Sequence, residues 1–162
     1  GGTLTYRRMT PADFPACARE LIAAFAEEPW SEVWTCEQAY DRIEEIMSAR
    51  VSRGIVCMDG EVCVSMLCGR IMTYQEKKML WIDEFSVHPA YQRQGIGSRM
   101  MAFLRQELLK EPQPINHMAL ITTHGFPSVA FYEKNGFYRI GQHIFVMGDD
   151  PQTDFLLRKD LK

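Results

Sequence analysis

The stretch Val87-His88-Pro89-Ala90-Tyr91-Gln92-Arg93-Gln94-Gly95-Ile96-Gly97-Ser98 decides the reading of this chain. Before it lies an apolar run, Leu80 to Val87, with the composition of a buried strand. After it, from Ser98 to about Lys110, Met101, Leu104 and Leu108 recur at helical spacing. Gly95 and Gly97 fall in the turn where that helix begins. A helix start presents backbone N–H groups without partners and the positive end of the helix dipole. Glycines there permit φ > 0 and let an anion approach the backbone. The turn therefore reads as a phosphate cradle. Arg93 adds a charge that either meets the ligand or stays in solvent.

Two common phosphate motifs do not fit. A P-loop needs a Lys directly after its second Gly, and the dinucleotide fingerprint needs a third Gly where Met100 stands. What remains is Gln92-x-x-Gly95-x-Gly97 between a strand and a helix. This resembles the acyl-CoA signature of the GNAT N-acetyltransferase superfamily, Gln/Arg-x-x-Gly-x-Gly/Ala. A second stretch, Ser128-Val129-Ala130-Phe131-Tyr132-Glu133-Lys134-Asn135-Gly136-Phe137, resembles that family's Ala-x-x-Phe-Tyr-x-Lys-x-Gly-Phe segment. Physically it is a short helix stopped by Asn135-Gly136. A helix and a strand separate the two stretches, as in the family. The resemblance covers roughly residues 80–140, and the rest of the chain more loosely.

Bulk properties are compatible with this. The 162 residues are one domain's worth, 1–162, with 46% hydrophobic and 11% aromatic residues to build a core. No apolar run approaches the ~20 residues of a membrane span, and no secretory signal is visible. A net charge of −3 without a basic block argues against nucleic acid as a partner. The five cysteines contain no Cys-x-x-Cys pair, and the histidines do not fall at zinc-site spacings, so no metal is expected. Cys57 and Cys63 flank an expected Asp59-Gly60 turn. That register sets Cys57 opposite Val62 and Cys63 opposite Val56, on different faces, so the two should not bond. Reduced, mostly buried cysteines suit a cytoplasmic protein.

Along the chain, residues 3–9 alternate as a strand, and Thr10-Pro11-Ala12-Asp13 opens a helix running to about Ala26. Thr35 opens a second helix, with Ala39, Ile43, Ile46 and Met47 at helical spacing, ending near Arg53-Gly54. Strands follow at Ile55–Met58, Glu61–Tyr74 and Lys77–Val87. Then come the Gly turn, its helix, a strand over Asn116–Thr122 and a helix over about Pro127–Asn135. Phe137–Met147 and Thr153–Arg158 close the chain as strands. The order β-α-α-β-β-β-α-β-α-β-β predicts a mixed α/β domain with one central sheet flanked by helices. It also matches the GNAT layout.

The resemblance implies acetyl transfer from acetyl-CoA to an amine in a ternary complex. Gln92, Arg93, Gln94, Gly95, Ile96, Gly97 and Ser98 would then hold the CoA pyrophosphate. Phe85, Ser86 and Val87 would run beside the pantetheine arm, on a strand that splays from the next one, with the Val87 N–H a candidate oxyanion donor. Tyr132 matches the family tyrosine near the thioester sulfur. A phenol, of pKa about 10 in water, suits protonation of a leaving thiolate. Alternatively Tyr132 is a core aromatic beside Phe131.

Asp83 and Glu84 are the base candidates. Carboxylates in an otherwise apolar strand are costly without a partner or a purpose. Alternation sets Asp83 on the face of Phe85 and Val87, and Glu84 on that of Ile82 and Ser86. Asp83, at the position of the aspartate in aminoglycoside 6′-N-acetyltransferases, is placed first, with Glu84, at the position of many relatives' glutamate, next. The competing reading has one of them capping a loop or paired with an arginine such as Arg70. Gly125 stands where many relatives carry an Asn, which leaves cofactor contacts from that loop to Thr122, Thr123 or His124.

Between the first two helices runs Phe25-Ala26-Glu27-Glu28-Pro29-Trp30-Ser31-Glu32-Val33-Trp34-Thr35, with three acids and two tryptophans. It resembles a Glu-Pro-Trp-x-x-x-Trp-Thr run in bacterial sequences classed near the aminoglycoside 6′-acetyltransferases. Acids attract polycationic amines, and Trp faces hold sugars or cations. Glu28, Trp30 and Trp34 are therefore acceptor-site candidates, unless the tryptophans only cover the core. The expected acceptor is a small amine, aminoglycoside-like or polyamine-like. The alternatives are a protein or peptide amine, or a module that binds acyl-CoA without turnover. Homodimers are common among relatives, and Phe145-Val146-Met147 would serve an interface or a sheet edge.

Overall fold

The computed structural model describes residues 3–122 and 127–141. The chain divides into two compact units, Gly1–Leu120 and Ile121–Lys162. The first holds β1 (Thr5–Arg8), α1 (Phe14–Ala26), α2 (Cys36–Met47), β2 (Ser52–Asp59), β3 (Val62–Tyr74), β4 (Lys77–Val87), α3 (Ile96–Leu109) and β5 (Met118–Ala119). The second holds α4 (Pro127–Lys134). The expected order holds from β1 to α4. The two closing strands, and the apolar Phe145–Met147 with them, lie outside the described residues, save that residues 137–141 carry no strand. No helix among the described residues is long and apolar enough to cross a membrane.

The sheet runs β1-β2-β3-β4-β5. Its first four strands are antiparallel and β4 pairs parallel with β5, giving the mixed sheet that the pattern of elements predicts. On one face, α1 and α2 bury Phe14, Cys17, Leu21, Ala39, Ile43 and Ile46 against Val56, Met58, Met66 and Cys68. On the other, α3 buries Ile96, Met100, Leu104 and Leu108. Fully burying each such Leu, Ile or Met contributes roughly 1.5–3 kcal/mol. Local chemistry fixes the helix starts. The Thr35 hydroxyl accepts from the Gln38 N–H at 3.0 Å while Gln38 returns a bond to the Thr35 N–H, a reciprocal cap for α2. Before α1, Asp13 accepts from the Thr10 N–H at 2.8 Å and holds Arg7 of β1 with both carboxylate oxygens.

Several boundaries differ from expectation. Helix α3 begins at Ile96, two residues early, because Gly95 itself is the cap. Helix α2 stops at Met47, short of Arg53-Gly54, since β2 already starts at Ser52. β5 shrinks to Met118–Ala119. The β2–β3 turn is Gly60-Glu61, with Asp59 opposite Val62, and β3 carries an extra residue at Val64. The register is therefore Cys57 opposite Ser65 and Met58 opposite Cys63. All five cysteines are unbonded, and Cys63 Sγ faces Cys17 Sγ at 4.0 Å.

A second irregularity sits in β4. Cys68 pairs with Glu84 but Gly69 pairs with Ile82, so Asp83 is an inserted residue, a β-bulge. Gly69 makes room for it: a Cβ there would collide with the Trp81 carbonyl oxygen. The bulge overturns the simple alternation. Phe85 and Ile82, opposite Leu67 and Gly69, fall on one face. Glu84 and Ser86, opposite Cys68 and Met66, fall on the α1–α2 face. Asp83 turns the same way and meets Arg70, not Phe85 and Val87.

Candidate active site

The turn after β4 is built by its own residues. His88 Nδ1 accepts from the Ala90 N–H at 3.1 Å, and Gln92 Nε2 donates to the Val87 carbonyl at 3.3 Å. Tyr91 is held by a 2.8 Å bond from its hydroxyl to Asp59. Arg93 and Gly95 both take left-handed backbone, with φ of +64° and +76°. No side chain caps α3. The N–H groups of Ile96, Gly97 and Ser98 thus sit in the first turn without intrahelical partners, at the positive end of the dipole. The Arg93 and Gln94 side chains are exposed. The cation tied into the loop is Arg99, which sequence reasoning missed. Its Nη2 donates to the Gln94 carbonyl at 2.7 Å and its Nε to the Tyr6 hydroxyl at 3.0 Å. Arg99 stands one helical turn after Gly95, and that spacing is the signal that would have found it.

β4 pairs with β3 up to Val87 but with β5 only through Leu80↔Met118 and Trp81↔Ala119. N–H groups alternate sides along a strand. The Leu80 N–H bonds to the His117 carbonyl on the β5 side at 2.9 Å, whereas the His88 N–H bonds to the Val64 carbonyl on the β3 side at 2.7 Å. Two even-numbered residues of a regular strand would point the same way, so the inserted Asp83 reverses the parity. Beyond the bulge, the N–H groups of Phe85 and Val87 turn to the side where the described β5 pairing has ended. Ser86 turns its side chain to α1, where its hydroxyl donates to Glu20 Oε2 at 2.7 Å.

The bulge brings Asp83 and Glu84 to the α1–α2 face with different fates. Asp83 engages Arg70 with both oxygens, each at 3.0 Å, the arginine partnership that was the competing reading. Glu84 is 14% exposed and meets Arg42 through Oε1 alone, at 3.2–3.3 Å. Burial pushes the Glu84 carboxyl above the usual carboxylate range, Arg42 opposes this, and Glu32 and Asp83 add to the rise. Glu20, on α1, is 1% exposed. Burial lifts it to about 8, Ser86 opposing and the charge of Glu84 adding. Its Oε1 has no hydrogen-bond partner among the described residues. Glu20 and Glu32 thus join the two predicted carboxylates. Neither was legible as a site residue, because Glu20 reads as an ordinary polar position of α1 and Glu32 as one loop acid among three.

In the α1–α2 loop, Glu28 is exposed. Trp30 lies edge-on to Phe25 with ring centroids 5.5 Å apart. Trp34 packs against the α1–α2 core and donates from Nε1 to Glu32 at 3.0 Å. Both tryptophans are partly buried, and Trp34 fixes Glu32, whose charge acts on Glu84. In the second unit, Tyr132 is partly buried on α4, with the rings of Phe131 and Phe137 each 5.4 Å away. The Phe137 N–H closes the helix on the Tyr132 carbonyl at 3.0 Å. The Thr122 and Ser128 hydroxyls are 3.0 Å apart. Thr123, His124 and Gly125 lie outside the described residues.

Comparison with known proteins bears on this arrangement. Residues 19–137 match the Acetyltransferase (GNAT) family. An uncharacterized N-acetyltransferase from the pepI 3′ region of Lactobacillus delbrueckii subsp. lactis is 30% identical over 82 residues, a stretch covering 51% of this chain and 47% of that one. The match therefore spans about half of the curated relative. A possible acetyltransferase from Clostridium difficile 630 shares the fold with a TM-score of 0.75 at 16% identity, over 92% of this chain and 99% of that one. The aminoglycoside N-acetyltransferase AAC(6′)-Iy in complex with CoA does so with a TM-score of 0.71 at 16% identity, over 91% and 96% of the two chains. The split sheet with its uncapped glycine turn and the match over residues 19–137 lead to one conclusion: the chain belongs to the GNAT acetyltransferase family, whose members take their acetyl group from acetyl-CoA.

Proposed function

We propose that this protein moves the acetyl group of acetyl-CoA to a primary amine of a small, multiply charged acceptor, aminoglycoside-like or polyamine-like. The observation that carries the reading is Glu84. It is a largely buried carboxyl with a raised pKa, tied to Arg42 by one oxygen only, beside the bulge in β4 beyond the β5 pairing. Such a group suits the removal of a proton from an ammonium near neutral pH.

The chain's residues fit the donor. The uncapped start of α3 at Ile96–Ser98, with Gly95 left-handed, offers N–H groups to the pyrophosphate, and Gln92 and Arg99 brace that turn. The β4 edge at Phe85–Val87 presents backbone groups to the pantetheine arm. Acetyl-CoA supplies an activated thioester carbonyl. Glu84 takes the proton that the acceptor nitrogen must lose, and Asp83 stays paired with Arg70. Tyr132 is the proposed acid that protonates the departing thiolate; its place in the Phe131-Tyr132-x-Lys134-x-Gly136-Phe137 segment supports this.

The acceptor class is inferred from charge. The charges of Glu32 and Asp83 act on Glu84, and these three carboxylates outnumber Arg42 and Arg70, while Glu20 is neutral below about pH 8. That excess of acid favours a cation. Glu28, Trp30 and Trp34 border the same loop. The aminoglycoside enzyme among the structural neighbours is compatible with this reading. The family match crosses from the first compact unit into the second, which supports treating 1–162 as one functional domain. Acetyl-CoA use and unbonded thiols agree with a cytoplasmic setting.

The test is release of CoA thiol from acetyl-CoA against aminoglycosides, polyamines, amino acids and peptides. Turnover confined to the small polycations supports the proposal. Turnover confined to peptides assigns a protein amine instead, and saturable binding with no turnover assigns a non-catalytic module.

A further inference from the structure

Acetylating an ammonium leaves a proton behind. The ammonium gives one proton to the base, and its nitrogen then bonds to the thioester carbon. As the C–S bond breaks, the thiolate gains a proton and the nitrogen loses its second one. Those two cancel, so each turnover ends with one extra proton on the base. If Glu84 is that base, it ends each cycle protonated in a largely buried position beside Arg42. It must pass the proton on before the next cycle.

A second carboxyl stands nearby in a place no structural need explains. Glu20 is buried in the middle of α1, where a carboxyl costs several kcal/mol unless it is paired. Its Oε2 accepts from the Ser86 hydroxyl at 2.7 Å, two residues along β4 from Glu84 and on the same face. The backbone at Ser86 is fixed in turn by Ser65, whose hydroxyl donates to the Ser86 carbonyl at 2.8 Å. Glu20 Oε1 has no hydrogen-bond partner among the described residues. Glu20 also lines a cavity of about 210 Å³ whose wall includes Arg19, Glu61, Cys63 and His88. A buried acid with one unsatisfied oxygen thus borders both the β4 face that carries Glu84 and a cavity with polar groups at its rim.

We propose that Glu20 carries away the proton that Glu84 removes from the acceptor, delivering it to the cavity that Glu20 lines. This rests on the reading of Glu84 as the base. Glu20 acts through Glu84 and touches no substrate. Its carboxyl takes up a proton on one oxygen and yields one from the other, so its own state is restored each cycle. The charged and titratable groups around it are Glu84 on β4, Arg42 on α2 acting on Glu84, Cys17 and Arg19 on α1, Cys63 and Cys68 on β3, and Glu61 and His88 at the cavity.

The experiment compares wild type, Glu20→Gln and Glu84→Gln with acetyl-CoA and spermidine or neamine, whichever turns over. The amide keeps the acceptor for Ser86 but ferries no proton. Glu20→Gln is expected to lower kcat roughly tenfold or more, with KM for acetyl-CoA unchanged. It should also lose the rise in kcat expected of wild type through the region of pH about 8. Glu20→Ala is expected to regain rate when formate or acetate is added, which a purely structural role would not do. If Glu20→Gln keeps wild-type kcat and pH profile while Glu84→Gln is inactive, the proton route through Glu20 is wrong and the base stands. If Glu84→Gln keeps full activity, the base itself is misassigned. If Glu20→Gln fails to fold, absence of rescue in Glu20→Ala overturns the proposal.

Discussion

Asp83 and Glu84 are neighbours in a β-strand, yet both carboxylates lie on the same side of the sheet, one on Arg70 and one on Arg42. The bulge at Asp83 does this, and it also turns the N–H groups of Phe85 and Val87 away from β3. One inserted residue thereby sets Glu84 on the α1–α2 face and turns two backbone donors to the side where the β5 pairing has ended.

Asp83→Asn should spare catalysis. Both Asp83 oxygens are already committed to a half-exposed arginine, so the ion pair serves to hold the bulge. The expected loss is about 1 kcal/mol in denaturant unfolding, with kcat reduced far less than in Glu84→Gln. A kcat loss matching that of Glu84→Gln would return the base to Asp83.

Gly69→Ala should damage function from a distance. The added methyl meets the Trp81 carbonyl, which can only yield if the bulge shifts. Overpacking of this kind costs about 1–3 kcal/mol. The variant should unfold at lower denaturant and show a reduced kcat, although residue 69 touches no substrate. Unchanged stability would mean the bulge is softer than its geometry implies.

Gly95→Ala tests the anchor. Its φ of +76° disfavours any Cβ, a strain of about 1 kcal/mol. Relaxing it tilts the first turn of α3. The expected result is a rise of about tenfold in the Kd for acetyl-CoA by calorimetry, with the far-UV circular dichroism unchanged. An unaltered Kd would place the pyrophosphate elsewhere.

Stability should fall with rising pH through Glu20. Its folded pKa, about 8, lies above the ordinary value of 4.5. The unfolded chain then binds fewer protons than the native one between those values, so this group's contribution is complete below 4.5 and lost as pH rises through 8. Glu20→Gln should flatten that decline in Tm measured across the same window. A decline as steep as in wild type would show that other groups cause it.

Much of this was legible in the chain. Gln92, Gly95 and Gly97 between an apolar strand and an amphipathic helix foretold the turn, and Gln92 does close it. The order from β1 to α4 followed from periodicity. The facing of Asp83 did not, because alternation assumes a regular ladder and Gly69 gives no local sign that it accommodates an inserted residue. Arg99 escaped because it lies outside the motif and acts by folding back on Gln94. Glu20 escaped because its burial depends on α1 packing against β3 and β4, which are distant in sequence. The tryptophans of the α1–α2 loop looked like acceptor contacts, and Trp34 turns out to pack against the core as well.

The most direct test of the account is kcat against pH for wild type and Glu84→Gln, followed by CoA thiol release with a small polyamine or aminoglycoside. A base in this position predicts a loss of roughly a hundredfold or more, little change in KM for acetyl-CoA, and disappearance of the acid limb that Glu84 imposes on the wild-type profile. A Glu84→Gln enzyme with wild-type kcat and an intact acid limb would contradict it.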